Sequence, residues 1–171
     1  MTYFDSIIGQ DSIKAHLSEL VSRNALPHSL LFYGEAGLGK LDMAIGLGSL
    51  LLGRQVFSQP KGEAYLEAVK EARLANGETE KRIEAEGLPI YMDKGDAFWI
   101  RPMKTTLKVE QWYSLLQDHL SVAGNCNRVV IVEDFHTANA VMANAMLKTI
   151  EEPPEKVYFI IITNKINTVL P

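Results

Sequence analysis

Two hydrophobic periods run through this chain. Between Asp11 and Val21, Ile13, Leu17, Leu20 and Val21 fall at i, i+4, i+7 and i+8, the stripe of an amphipathic helix that Asp11 or Ser12 would cap. Pro27 then breaks the chain, and Leu30, Leu31, Phe32 and Tyr33 form an apolar run closed by Gly34, which predicts a short strand buried on both faces. From Lys40 to Leu52 the apolar positions are dense enough for a largely buried helix, with Gly53 at its C-terminal end. Phe98, Trp99 and Ile100 predict another strand, and Val109, Trp112, Tyr113, Leu116 and Leu120 recur at helical spacing before Gly124. Val129 to Val132 is a run of four β-formers that ends on Glu133 and Asp134. Thr137 would cap a helix running to about Glu152, where Pro153 and Pro154 stop it, and Val157 to Ile162 predicts a last strand. Strands alternating with helices imply an α/β fold, a parallel sheet covered on both faces. From Lys61 to Glu86 the composition shifts to Glu, Lys, Arg and Ala, which predicts one or two solvated helices, broken near Asn76-Gly77, inserted on the domain surface.

Composition narrows the class. With 171 residues, 47% of them hydrophobic and 22% charged, the chain supports one well-buried core and is not disordered throughout. Seventeen Lys and Arg against 21 Asp and Glu leave a net charge of -4, so no basic surface dominates and any DNA contact must be local or shared with partners. The single cysteine, Cys126, excludes an intramolecular disulfide and a Cys-cluster zinc site and fits a reducing compartment. The N-terminus lacks the pattern of a signal peptide and the apolar runs are too short to span a membrane, so the sequence reads as soluble and cytoplasmic. Because Pro171 stands barely past the last strand, the chain is expected to be a fragment.

The chemistry concentrates at two strand ends. Gly34-Glu35-Ala36-Gly37-Leu38-Gly39-Lys40-Leu41 matches the phosphate-loop pattern G-x-x-x-x-G-K, except that the position after the lysine requires Ser or Thr and holds Leu41. Gly34, Gly37 and Gly39 would let backbone N–H groups turn onto phosphate oxygens, and Lys40 would reach the β- and γ-phosphates at the positive end of the following helix. The hydroxyl that would ligate Mg²⁺ is lost. Glu133-Asp134 stands where such proteins keep one acid for Mg²⁺ and a second to orient water, in the reverse of the usual Asp-Glu order. A misplacement of about 1 Å there is enough to lower a rate on the order of 100-fold. His16, His28, His119 and His136 lack metal-ligand spacing and read as surface or packing residues. Trp99, Trp112, Tyr113, Met142 and Met146 read as core, and Cys126 lacks the companions of a catalytic thiol.

Four blocks in order, Phe4 to Gln10, His28 to Gly34, the phosphate loop, and Ala143 to Pro154 ending in Leu-Lys-Thr-Ile-Glu-Glu-Pro-Pro, resemble the N-terminal domain of bacterial clamp-loader subunits of the AAA+ superfamily, above all the delta-prime type of DNA polymerase III. The resemblance covers nearly the whole chain apart from the charged insertion. It implies a P-loop NTPase-like fold, a parallel five-stranded sheet with helices on both faces. Residues 1–171 would then be the N-terminal AAA+ domain, with residues 61–86 an insertion and the lid and collar domains absent. It implies that Ile8 lies near an adenine and that Thr163 or Asn164 acts as sensor 1 toward a γ-phosphate. ATP is the implied cofactor, with Mg²⁺ held weakly or not at all and no zinc. The implied partners are delta and gamma/tau subunits in a hetero-pentameric ring, and through them the sliding clamp and primed DNA, within a DNA-directed DNA polymerase (nucleotidyltransferase) holoenzyme. Motor subunits resemble one another in an intact loop, an Asp-Glu pair and a four-cysteine zinc module. This chain departs at Leu41, at Glu133-Asp134 and in lacking those cysteines, which favours the delta-prime type with little ATP turnover. An arginine finger from a Ser-Arg-Cys motif is expected beyond Pro171. Two alternatives stay open: an active gamma/tau-like ATPase, favoured by Lys40 and the glycines, and an unrelated P-loop enzyme such as a small kinase.

Overall fold

The computed structural model describes residues 3–57, 70–71, 74–75, 77–86, 91–102, 105–122 and 124–165. In chain order these form α1 (Asp11–Ser22), β1 (Ser29–Tyr33), α2 (Lys40–Leu52), α3 (Glu80–Glu86), β2 (Tyr91–Asp93), β3 (Ala97–Ile100), α4 (Val109–Ser114), β4 (Arg128–Val132), α5 (Ala140–Glu151) and β5 (Val157–Thr163). Between α4 and β4 lies a π-helix, Leu115–Leu120, and between β4 and α5 a 3₁₀ turn, Phe135–Thr137. The sheet order is β1-β5-β4-β3-β2.

The expected α/β architecture is present, with one difference in strand direction. Pairs β1·β5, β5·β4 and β4·β3 are parallel, but β2 runs antiparallel to β3 at the edge. Only Lys94, Gly95 and Asp96 separate the two strands, far fewer residues than a parallel crossover needs. Lys94 and Gly95 both take positive φ, the dihedral sign of tight hairpin turns. The strand was not legible because Tyr91-Met92-Asp93 buries a single side chain fully and offers no apolar run.

Side chains alternate across the sheet into two cores. Leu17 of α1 and Met43, Ala44 and Leu47 of α2 cover Trp99, Val129, Ile131, Ile160 and Ile162 on one face. Trp112, Leu115, Leu120, Met142 and Met146 cover Phe98, Ile100, Val130, Val132 and Phe159 on the other. Every residue of β3, β4 and β5 is buried, as parallel strands between helix layers require. Trp99, Trp112, Met142 and Met146 are core residues as expected, whereas Tyr113 is 48% exposed. The helix expected through Leu120 changes pitch at Leu115: the buried pair Leu115 and Leu120 is five residues apart, a spacing that a π-helix brings to one side and an α-helix does not.

Two helix starts differ from expectation. Gln10, in a left-handed conformation, precedes α1 without a side-chain cap, so neither Asp11 nor Ser12 caps it. Asn139 rather than Thr137 caps α5, its Oδ1 accepting from Met142 N at 2.9 Å, because Thr137 is used in the 3₁₀ turn, donating from Oγ1 to Asp134 O at 2.8 Å. Of the expected helices in residues 61–86, α3 lies within the described residues, and its Ile83 is only 1% exposed, so α3 is not wholly solvated. The expected break at Asn76 and most of the segment from Lys61 to Arg73 lie outside the described residues.

Candidate functional site

Register brings the candidate residues to one edge. Tyr33 of β1 pairs with Thr163 of β5, Ile161 of β5 with Val132 of β4, and Val132 with Ile100 of β3. The loop after β1, Asn164, the Glu133-Asp134 pair and Arg101 therefore all leave the sheet at the carboxyl ends of parallel strands, where α/β sheets place ligands. Because β5 lies between β1 and β4, Thr163 and Asn164 sit between the glycine-rich loop and the acidic pair.

Gly34 to Gly39 turns from β1 into α2, and Gly37 (φ 82°) and Gly39 (φ 72°), the residue preceding the helix, take the left-handed conformation that glycine adopts without penalty. Lys40 is the first residue of α2. Its Nζ donates to Gly34 O at 2.7 Å and to Glu35 O at 2.5 Å, so the ammonium closes the loop on its own carbonyls. Beside it a cleft of about 320 Å³ is lined by Gln10, Ile13, Tyr33, Leu38, Lys40 and Met43 among others. Leu38 is 54% exposed, and Ile8, on the segment leading into α1, is 99% exposed. Leu41, at the position of the missing hydroxyl, is half-buried and packs against the core beneath α1 and α2. Asp42 follows in the first helical turn, where its charge opposes an incoming anion.

The acidic pair is engaged by neighbours that the sequence did not reveal. Glu133 Oε2 accepts a hydrogen bond from Trp99 Nε1 at 3.1 Å and lies 3.9 Å from Arg101 Nε. The Arg101 guanidinium in turn lies 5.7 Å from the centre of the Trp99 ring. Burial pushes the Glu133 carboxyl above the ordinary carboxylate range and Asp134 adds to the effect, against the opposing influence of Arg101 and the Trp99 hydrogen bond. Asp134 is itself in the left-handed region (φ 51°), which Asp tolerates better than most residues, and its carbonyl accepts from Thr137.

Of the two sensor candidates, Thr163 is fully buried and satisfied locally, its Oγ1 donating to Lys165 O at 3.3 Å and accepting from Lys165 N at 3.2 Å. Asn164 Oδ1 is buried without a hydrogen-bond partner, as is His136 Nδ1 just beyond the acidic pair. Among the described residues no cluster of three or more His, Cys, Asp or Glu is arranged to hold a metal ion, and no helix is long and apolar enough to cross a membrane.

The family profile described as DNA polymerase III, delta subunit, matches residues 9–171. The chain is similar to the tau/gamma subunit of DNA polymerase III from Haemophilus influenzae, 30% identical over 162 residues that cover 94% of this chain and 21% of that protein. It is similar to the delta' subunit of DNA polymerase III from Bacillus subtilis, 29% identical over 160 residues that cover 91% of this chain and 42% of that protein. A gamma subunit-related protein of DNA polymerase III from Thermotoga maritima has the same fold, with a TM-score of 0.60 at 18% identity over 91% of this chain and 41% of that one. The chain thus spans well under half the length of each of these proteins.

Proposed function

The chain belongs to the DNA polymerase III, delta subunit family of clamp-loader proteins, and on that premise we propose that it is the N-terminal AAA+ domain of a delta-prime-type subunit with little or no ATP turnover. The reading rests above all on Glu133: the acid that would serve a metal is bound to Trp99 and Arg101, while Leu41 removes the hydroxyl that would complete the metal's coordination. In this role the domain is a rigid cytoplasmic partner of delta and gamma/tau subunits in a pentameric ring. The ring loads the sliding clamp on primed DNA. The family resemblance supports this assembly, and the net charge of -4 fits DNA contact made through the assembly rather than by this domain alone.

Nucleotide, where it binds, is held by the backbone N–H groups of Gly37 to Leu41 and by Lys40, with its base toward Ile8 and the apolar side of the cleft. Thr163 already uses its hydroxyl on Lys165, whereas Asn164 Oδ1 has no partner that would hold the side chain, which favours Asn164, through its amide N–H, as sensor. The retained glycines and Lys40, and the similarity to tau/gamma proteins, favour a second reading as an active ATPase. Equilibrium titration with a fluorescent ATP analogue, with and without Mg²⁺, followed by phosphate release, separates the two. Binding without Mg²⁺ dependence or turnover, or no binding, is expected. Mg²⁺-dependent hydrolysis that Lys40→Ala abolishes would select the ATPase.

A further inference from the structure

Trp99, Arg101 and Glu133 form a unit built from two neighbouring strands. Continuing the parallel register of β3 and β4 places Arg101 opposite Glu133, and Glu133 N donates to Ile100 O at 2.9 Å, so the ladder extends to the acid. Trp99 and Ile131 point into the core beneath α2, and alternation puts Glu133 and Arg101 on that same face, the one carrying the helix that begins at Lys40. The indole N–H and the guanidinium both converge on one oxygen, Oε2, and the guanidinium is itself held over the indole ring. Each member fixes the other two. Turning Glu133 toward a metal would strand the indole N–H of a tryptophan only 4% exposed and separate an ion pair whose partners are 30% and 20% exposed.

We propose that Arg101 is the resident cation of this site and that Arg101 and Trp99 are positioning residues that latch Glu133 away from divalent metal. The latch deepens the reading above, from which it takes only the identity of Glu133 as the acid a metal would need. Mg²⁺ does not fit the residues present: Leu41 offers hydrocarbon, and Glu133 already has a cation. It follows that restoring a hydroxyl at Leu41 does not by itself create a metal site, whereas releasing Glu133 frees a carboxylate that a divalent metal can reach.

Mn²⁺ alone, titrated into the full-length protein without nucleotide and followed by loss of the free-ion EPR signal, tests this. The unaltered protein is expected to show no saturable binding that depends on Glu133. Arg101→Ala and Trp99→Phe should each bind Mn²⁺ on the order of tenfold more tightly than the parent, a change of the size that outer-shell alterations produce but a gain rather than a loss, because both groups compete with the metal for Glu133. Adding Glu133→Gln should remove the gain, while Arg101→Lys, which keeps the charge, should match the unaltered protein. Trp99→Phe retains the ring, so it carries the test if Arg101→Ala does not fold. Saturable binding in the unaltered protein that Glu133→Gln removes would overturn the proposal. So would folded Arg101→Ala or Trp99→Phe proteins that bind Mn²⁺ no better than the parent. Because no nucleotide is present, a failure of ATP to bind leaves this result intact, and a failure of the latch leaves the nucleotide titration intact.

Discussion

Gly46 lies in the middle of α2, where alanine would ordinarily be favoured by about 1 kcal/mol through helix propensity. A Cβ built there, however, would lie 2.5 and 2.7 Å from two ring carbons of Phe4 and 3.0 Å from Tyr3 O. Ordinary carbon contacts need about 3.5–4.0 Å, so the ring must retreat by about an ångström, and Phe4 is a buried core residue with little room to do so. Overpacking of this kind costs about 1–3 kcal/mol, which outweighs the propensity gain over most of its range. Gly48, two residues on in the same helix, is the internal control: its added Cβ would meet Val129 Cγ1 at 3.3 Å and Val56 Cγ2 at 3.7 Å, a much milder crowding. Gly46→Ala should therefore be less stable than Gly48→Ala by about 1–3 kcal/mol, a gap of several degrees in melting temperature for a chain of this size. Urea titration and thermal melting by circular dichroism measure both variants. The effect should reach the site, because Phe4 opens the segment that carries Ile8 and Gln10, so Gly46→Ala should also weaken any binding of the ATP analogue. A Gly46→Ala protein that melts at or above Gly48→Ala would show that the Phe4 ring is not confined by α2, and the packing argument would fail.

Asn139→Ala removes the hydrogen bond from Met142 N that caps α5 and should lower stability by about 1 kcal/mol, read as a shift in urea midpoint; no shift would mean the cap is not formed in solution. Arg54→Ala breaks the link from the end of α2 to Asp93 (3.3 Å) and Asp96 in the β2–β3 hairpin, all three side chains being mostly buried. The loss should be about 2 kcal/mol, with faster amide exchange in residues 91–97 as its local signature. Glu133→Gln tests the buried acid through pH. Burial raises its carboxyl pKa in the folded chain, so the stability it contributes is present below the unfolded value of about 4.3 and is lost as pH rises through the higher folded value. The Gln variant should lack that fall. Melting curves whose pH dependence runs parallel in the two proteins would refute the burial argument.

Much of the fold was legible because its long elements carry unambiguous periods. Lys40–Leu52 is helical over the span its apolar density predicts, and Val129 to Val132 and Val157 to Ile162 are the buried strands their β-formers imply. Local periodicity is silent about what was missed. Tyr91–Asp93 is too short to carry a pattern, and residue type alone allows Thr137 as the cap of α5, but the 3₁₀ turn takes Thr137 up, leaving the cap to Asn139. At the site, the loop and the acidic pair were found from their spacing to strand ends. Trp99 and Arg101 were not, because their partnership with Glu133 spans more than thirty residues and exists only once β3 and β4 are in register.

The residues that match the phosphate-loop motif and those that depart from it are held differently. The glycines and Lys40 match a nucleotide loop, yet the structure gives both a role without nucleotide: the glycines supply left-handed turns between β1 and α2, and the ammonium satisfies the carbonyls of Gly34 and Glu35. Leu41 and Glu133 are different. A leucine packed against the core and a carboxylate held by an indole and a guanidinium contribute to the fold in ways that compete directly with metal coordination. On the proposed reading it is therefore the departures from the motif, and not the residues that match it, that set this chain apart from a working ATPase, and variants that release Glu133 test that reading as directly as Lys40→Ala tests the alternative.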